Sequence, residues 1–508
     1  GLRPRDMGQA RSFPICQDST PACRSWCKIE PNESPGDDRL TETCIVVQDR
    51  DEYSQAVPSD SSRMPVLLHF DVCRTVLLAD KVGQEEIGAE ECIREGIAEL
   101  FWGSMRRVGD KVHWEWSGCS PSAVPPGVVT GSSGLSLANY NYRHYCHEVY
   151  KDPSLCRQAT RTFGLVQDQP VRVEMDKLLR SALNRVKLPQ HLRNSKAAKA
   201  AGIPGNTYNL LPALFHLVTR LHDSGRRFAV LFRSFGSDMQ RFQSEWNAFC
   251  ELRHPIFSTL IKGGAWDGSD AGTPDRRIHR THTLYRDDEG PVLILDTSTN
   301  GPSNDTWDAW AQARAMPETD TRGGRKFIKE LKAKTMDGSD EVRVWMSRHL
   351  SRQETAVIRD DWSWWHASDE DSNAGKLMCT LGGFKPSKQI FFDDGIELND
   401  PRIVDCRDSA GFPIPASMSL SRLCFKVNLV EILIDQDYFF RKLLSTEANE
   451  FSFPQQLSKF FCCTRAGSGC GEGFLTHAGE RSVATPRSAS SPPPTPPSPR
   501  MPRTPLVR

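Results

Sequence analysis

The sequence predicts an α/β fold with a largely parallel sheet, and three observations predict it. Short, almost uninterrupted apolar runs at Val66 to Phe70, Phe228 to Phe232, Val292 to Leu295 and Ile390 to Phe392 read as strands buried on both faces. Segments with helical spacing alternate with them, as a sheet covered by helices requires. Several of the runs also end in acidic or small polar residues, where open α/β sheets hold their ligands.

Taken in order, residues 1–62 are polar, rich in Pro, Ser, Asp and Arg, with one short apolar run at Ile45 to Val47, and read as a disordered N-terminal arm. Val66 to Phe70 opens the folded region, and helical spacing follows over Glu85 to Phe101. The next stretch departs from the alternation. A Trp-bearing segment at Val112 to Trp116, a Pro and Gly cluster, and the aromatic-rich Tyr140 to Tyr150 read as an insertion or second lobe. Helices are expected over Val173 to Val186, Leu210 to Asp223, Asp238 to Leu252 and Val430 to Leu444, the last with Phe and Leu at core spacing. Residues 451–508 turn to Gly, Ser, Pro and Arg and end in SASSPPPTPPSPRMPRTP, a composition that buries too little apolar surface to offset the entropy of ordering. This tail offers a ligand for SH3- or WW-type modules, and its Thr-Pro and Ser-Pro steps suit proline-directed kinases.

Composition excludes several classes of function. Lys plus Arg and Asp plus Glu each total 64, so no global field recruits nucleic acid or an anionic membrane. No run of about 18 apolar residues reads as a membrane span, and no signal-peptide core stands near the start, so a cytoplasmic protein is expected. Residue 1 is Gly rather than Met, which leaves any upstream targeting segment open. The 16 cysteines lie mostly apart in apolar stretches, as with Cys73, Cys250, Cys379 and Cys424, and read as reduced thiols. Cys16, Cys23, Cys27 and Cys44 form no C-x-x-C knuckle, and His279 and His282 have no cysteine neighbours, which speaks against structural zinc. Cys462, Cys463 and Cys470 read as surface thiols. Walker A, G-x-S-x-G and H-E-x-x-H sequences do not occur.

The chemistry gathers at the ends of the runs. VLLHFDVCRT places Asp71 past the first run with Thr75 four residues on; FAVLFRSFGSD places Ser234 past the second; QIFFDDG places Asp393 and Asp394 past another. Two adjacent carboxylates at the end of a buried strand repel one another unless a cation offsets them, so a hard metal such as Mg²⁺ is the natural expectation. Asp296 follows Val292 to Leu295 but opens the turn DTSTNGPSND, and reads as a turn residue. The segment DDWSWWHASDED, residues 360–371, reads as Trp side chains packed under an acidic turn, with a substrate lid as the sharper alternative.

In this order, the three motifs resemble those of the haloacid dehalogenase-like superfamily, mainly Mg²⁺-dependent phosphohydrolases on a Rossmann-like fold. The resemblance covers short pieces of residues 64–82, 226–238 and 376–408, and RSFGSDMQRFQSEWNAFCELRHPIF and DDWSWWHASDEDSNAGKL look like a little-described branch. It implies a Rossmann-like core from residues 63–100 and 225–450, with 101–224 as an inserted cap lobe filling the long interval between Asp71 and Ser234. By position, Asp71 would be the nucleophile that takes the phosphoryl group of a small phosphorylated substrate and ligates Mg²⁺. Thr75 would steady the loop, Ser234 would donate to a phosphoryl oxygen, and a lysine, Lys376 or the competing Lys388, would neutralise developing charge. Asp393 and Asp394 would hold the metal, together with the backbone carbonyl of Cys73. One departure matters: phosphatases of the superfamily carry a second Asp where this chain has Cys73, and a thiol is a poor proton donor and base for that task. An inert relative that serves as a binding or regulatory scaffold is therefore the alternative expectation.

Overall fold

All six residues of Val66–Asp71, the first strand (β1), are buried. The computed structural model describes residues 64–452 apart from 79, 83–84, 127–139, 166, 237–238, 297–323, 331, 333 and 382–386. The expected arm over 1–62, the tail from 453 onward and the cysteines within them lie outside the described residues. After β1 come β2 (Asp80–Val82), β3 (Glu85–Ile87), β4 (Trp102–Val108), β5 (Lys111–Trp116), β6 (Tyr140–Asn141) and β7 (Phe228–Ser234). They are followed by β8 (Thr281–Asp287), β9 (Gly290–Ile294), β10 (Thr335–Asp337) and β11 (Thr355–Arg359). The last four are β12 (Lys376–Cys379), β13 (Lys388–Asp393), β14 (Val404–Arg407) and β15 (Cys424–Lys426).

A central sheet runs β10-β9-β8-β11-β7-β1-β13-β15. From β8 to β15 every neighbouring pair is parallel, while β9 and β10 add an antiparallel edge. The architecture is mixed α/β with a mostly parallel central sheet. The winding reverses at β1: the chain next builds outward on one side through β7 and β11, then on the other through β13 and β15. A crevice forms outside the carboxyl ends of strands at such a reversal, which makes the β1–β13 edge the place to look for a site.

Because strand side chains alternate, β1 feeds two cores. Val66, Leu68 and Phe70 join Phe228, Val230, Phe232, Ile390 and Phe392 on one face. Leu67 joins Ala229, Leu231 and the buried side of helix Gly338–Arg352 (Val342, Trp345, Met346, Leu350) on the other. The first face carries helices Ala89–Leu100, Pro212–Asp223, Met239–Cys250, Leu429–Ile434 and Tyr438–Ser452. Residues 101–224 begin with a small antiparallel sheet, β5-β4-β6, and continue through helices Tyr142–Val149, Pro153–Arg161 and Gln169–Val186. Their buried side chains, including Phe101, Tyr142, Phe163 and Met175, belong to the same cluster as Phe70.

Three elements differ from the sequence expectations. Glu85–Ile87 pairs with Asp80–Val82 instead of opening a helix, which starts only at Ala89 after an extended Gly88. The Val292 to Leu295 run is buried through Ile294 but antiparallel to β8, because a two-residue turn joins them and a parallel return needs a crossover of about a dozen residues. Val430 to Leu444 is two helices, not one: Asp435 Oδ1 accepts the Asp437 N–H at 3.0 Å, an Asx turn that ends the first.

Phe70 is fully buried and meets the rings of Phe392 at 5.2 Å and Phe439 at 5.0 Å. Phe70→Ala is expected to cost about 3–5 kcal/mol, read from the urea midpoint. A loss below about 1 kcal/mol would contradict a core shared by β1, β13 and the last helix.

Candidate functional site

Alternation also decides where the charges go. Asp71 has the parity of Leu67 and His69, Arg233 that of Leu231, and Asp393 that of Phe391, so all three emerge on the face that β12 crosses. There Lys376, the first residue of β12, donates from Nζ to Asp71 Oδ1 and to Asp393 Oδ2, the latter at 2.8 Å. Lys376, Asp71 and Asp393 are all buried. Three oxygens, one each from Asp71, Asp393 and Asp394, lie within 4.8 Å of one another.

Local sequence explains how Lys376 reaches this point. β12 pairs with β14, and Lys376 N–H donates to Ile403 C=O at 2.7 Å. A Cβ at the preceding Gly375 would stand 2.4 Å from that carbonyl oxygen, so only glycine allows the close approach. Arg286 on β8 holds the segment from the other side, donating to Gly375 C=O and to Asp405 Oδ2, each at 2.6 Å. Lys388, the competing lysine, is excluded by register: it pairs with Val66 at the amino end of β1, the far edge of the sheet from Asp71.

Burial raises the pKa of Asp71 well above the usual carboxylate range; Lys376 opposes that shift, while Asp393 and Asp394 add to it. Asp393 is raised by burial, again opposed by Lys376 and reinforced by Asp394. For Lys376 burial acts downward, but the carboxylates of Asp393 and Asp71 outweigh it and hold the ammonium charged. Three hard oxygen donors facing one buried ammonium are a donor set suited to a divalent cation of the Mg²⁺ or Ca²⁺ type.

The loop after Asp71 turns sharply. Val76 and Leu77 donate to Val72 C=O at 3.1 and 2.8 Å, Arg74 N–H donates to Leu77 C=O at 2.9 Å, and Arg74 takes a left-handed φ of 61°. Backbone bonds therefore hold the loop; Thr75 is buried with its Oγ1 making no hydrogen bond among the described residues. Cys73, half-buried, stands on this turn. Arg74 reaches Asp394 at 3.3 Å, Glu95 at 3.0 Å and Glu99 at 3.2 Å. Burial raises Glu99, but Arg143, Lys426 and Arg74 overcome it and bring the carboxyl down to about 2, so it stays ionised.

Ser234 lies at the carboxyl end of β7, one residue beyond the register partner of Asp71. Its Oγ accepts the Gly236 N–H at 2.9 Å, and a hydroxyl that accepts keeps its own proton to donate. Next to it Arg233, fully buried, makes a bidentate pair with Asp360 at 2.9 and 2.5 Å and donates to Leu377 C=O at 2.8 Å. Burial, then Arg233, depresses the His69 pKa, and the neutral ring accepts from Arg233 at 3.3 Å. Arg233, Asp360 and Arg74 were not among the expected site residues; an arginine inside the apolar run FAVLFRSF was the available signal, since buried arginines need partners. Asp360 leaves the expected acidic turn for this pair, while Trp365 stacks on Phe235 at 5.3 Å. Asp296 follows β9, four strands from β1 in the sheet order, and lines a different cavity with His282 and Thr355.

Lys376→Met is expected to lower stability by about 3–5 kcal/mol at pH 7, the range for removing one partner of a buried ion pair, and by less at pH 5. A carboxyl whose folded-state pKa is raised contributes stability that is complete at low pH and lost as pH rises through that pKa; without the ammonium Asp71 and Asp393 rise further. Urea midpoints at both pH values check this, and an equal loss at the two would contradict the dependence of the carboxylates on Lys376.

No family model matches this sequence, and neither a curated protein nor a solved structure matches it.

Proposed function

We propose that the protein is a haloacid dehalogenase-like, Mg²⁺-dependent phosphohydrolase or phosphotransferase with a Rossmann-like core, acting on a small phosphorylated substrate through Asp71. The observation that carries the proposal is the convergence of Asp71, Asp393, Asp394 and Lys376 from three separate strands on one point at the β1–β13 reversal. The order of the parallel strands, third-second-first-fourth-fifth from β11 to β15, matches that of doubly wound nucleotide-binding sheets and supports the Rossmann-like reading.

In this proposal Asp71, Asp393 and Asp394 would hold Mg²⁺, which supplies charge neutralisation of the phosphoryl oxygens. An Asp71 carboxylate oxygen attacks phosphorus, the bond from phosphorus to the ester oxygen breaks, and the leaving oxygen takes a proton. Lys376 and the Ser234 hydroxyl face the transferred group and offset its charge. Water attack on the aspartyl-phosphate then releases phosphate and restores Asp71; transfer to an alcohol would give a phosphotransferase. The Lys376 contact opposes the burial that raises the Asp71 carboxyl, and so favours the ionised form that attacks.

Cys73 favours a second reading, a binding or regulatory domain with little turnover. The carboxylates that Arg74 brings beside the loop do not replace the absent acid, because Glu99 is held ionised at about 2 and Glu95 lies between Arg74 and Arg161. The proton then comes from solvent, which leaves the first step slow.

Melting temperatures with Mg²⁺ and beryllofluoride test the site without a substrate. A rise that needs both ligands and disappears in Asp71→Asn is expected; no rise in the wild type overturns the aspartyl-phosphate proposal. Cys73→Asp is expected to raise Mg²⁺-dependent release of phosphate from p-nitrophenyl phosphate by about 10²-fold or more, the usual scale of general acid–base catalysis. An unchanged rate would show that Cys73 is not what limits turnover.

A further inference from the structure

We infer that a cationic cavity beside the carboxylate site selects a phosphate ester that carries a second anionic group, an inference that rests on the proposed phosphoryl chemistry at Asp71. The cavity has a volume of about 440 Å³, within the usual range of small-molecule sites. Helices Tyr142–Val149 and Pro153–Arg161 form much of its wall, and the segments after β11 and β13 contribute Glu370 and Arg402.

Six cations line it, Arg74, Arg143, Lys151, Arg157, Arg161 and Arg402, against two carboxylates. Cations gathered around a cleft with low-dielectric walls repel one another and focus a positive field into it, unless an anion fills the space. The internal acids offset only part of this charge. Glu95 is shared between Arg74 at 3.0 Å and Arg161 at 2.8 Å, Glu99 pairs with Arg143 and Arg74, Asp394 also meets Arg74, and Glu370 and Glu397 pair with Arg402. Lys151 and Arg157 form no ion pair among the described residues; Arg157 meets only the Ser154 hydroxyl, at 3.4 Å.

Arg74 joins the two regions, since it lines the cavity and touches Asp394 at 3.3 Å. A substrate whose phosphoryl group sits at Asp71 therefore has the cavity as the natural place for its remainder. A neutral remainder would leave Lys151 and Arg157 without a counter-charge, whereas a second phosphate or a carboxylate pairs with them. The substrate class that follows is a small bisphosphate or a phosphorylated carboxylic acid.

The test titrates the full chain, with Mg²⁺ present, with propane-1,3-diol bisphosphate and hexane-1,6-diol bisphosphate and with propyl and hexyl monophosphates. At least one bisphosphate is expected to bind tenfold or more tightly than its monophosphate. In Lys151→Ala/Arg157→Ala, two positions on the protein surface, that advantage is expected to vanish while the monophosphate affinity and the ligand-free melting temperature stay unchanged. Equal affinity for mono- and bisphosphates, or an advantage that survives the double variant, would overturn the inference. The Asp71 proposal fails separately: a bisphosphate advantage lost in the double variant, with no beryllofluoride response, would leave an anion chamber beside a site that does not take up phosphoryl groups.

Discussion

Lys376 Nζ lies between Asp71 and Asp393, and all three residues are buried. Two carboxylates in that setting without a cation would retain protons or push β1 and β13 apart, since the cost of burying an unpaired charge is several kcal/mol. With the lysine in place, adjacent parallel strands can both end in acids at the same level. The ammonium arrives from β12, outside the central sheet, so the β12–β14 pair, Gly375 and Arg286 are all arranged around the delivery of one charge.

The same logic extends along the sheet edge. Arg233 and Asp360, both buried, tie the ends of β7 and β11 together, and further guanidinium proton donors reach Leu377 C=O and His69. Buried ion pairs add little net stability compared with an apolar core of the same volume. What they do here is geometric: each joins the carboxyl end of a strand to a neighbouring segment, so the crevice is lined by side chains with few alternative positions. Preorganisation of this kind is what charge stabilisation at a reacting group needs.

Arg74 has two roles that pull in different directions. It counters Asp394 at the carboxylate site and, with Arg143 and Arg161, it sits in a lattice of charge with Glu95 and Glu99 that connects β1 to the helices of residues 142–161. Those helices share the apolar core of the sheet, so the cavity wall is continuous with the body of the protein. In the proposed phosphoryl chemistry Cys73, next to Arg74, would limit proton transfer more than binding.

The sequence by itself located four strands of the central sheet, β1, β7, β9 and β13, and the polar residues that end them. Continuous apolar runs specify burial on both faces, and a polar residue that ends such a run must lie at an edge; this is why Asp71, Ser234, Asp393 and Asp394 were legible as one set. Helix spacing located the helices that begin near Val173, Leu210 and Asp238, but it did not single out Gly338–Arg352, and local pattern did not show the Asx turn at Asp435 or the hairpin that sends Val292 to Leu295 back antiparallel. Only the tertiary structure decided between Lys376 and Lys388, because that choice depends on which end of β13 faces Asp71, a matter of strand direction and register. It alone paired Arg233 with Asp360 and placed Arg74 against Asp394, contacts between residues far apart in the chain whose spacing carries no periodic signal. The cationic cavity is likewise a product of packing: its charges are scattered from residue 74 to residue 402, and a chain with no net charge gave no hint of them.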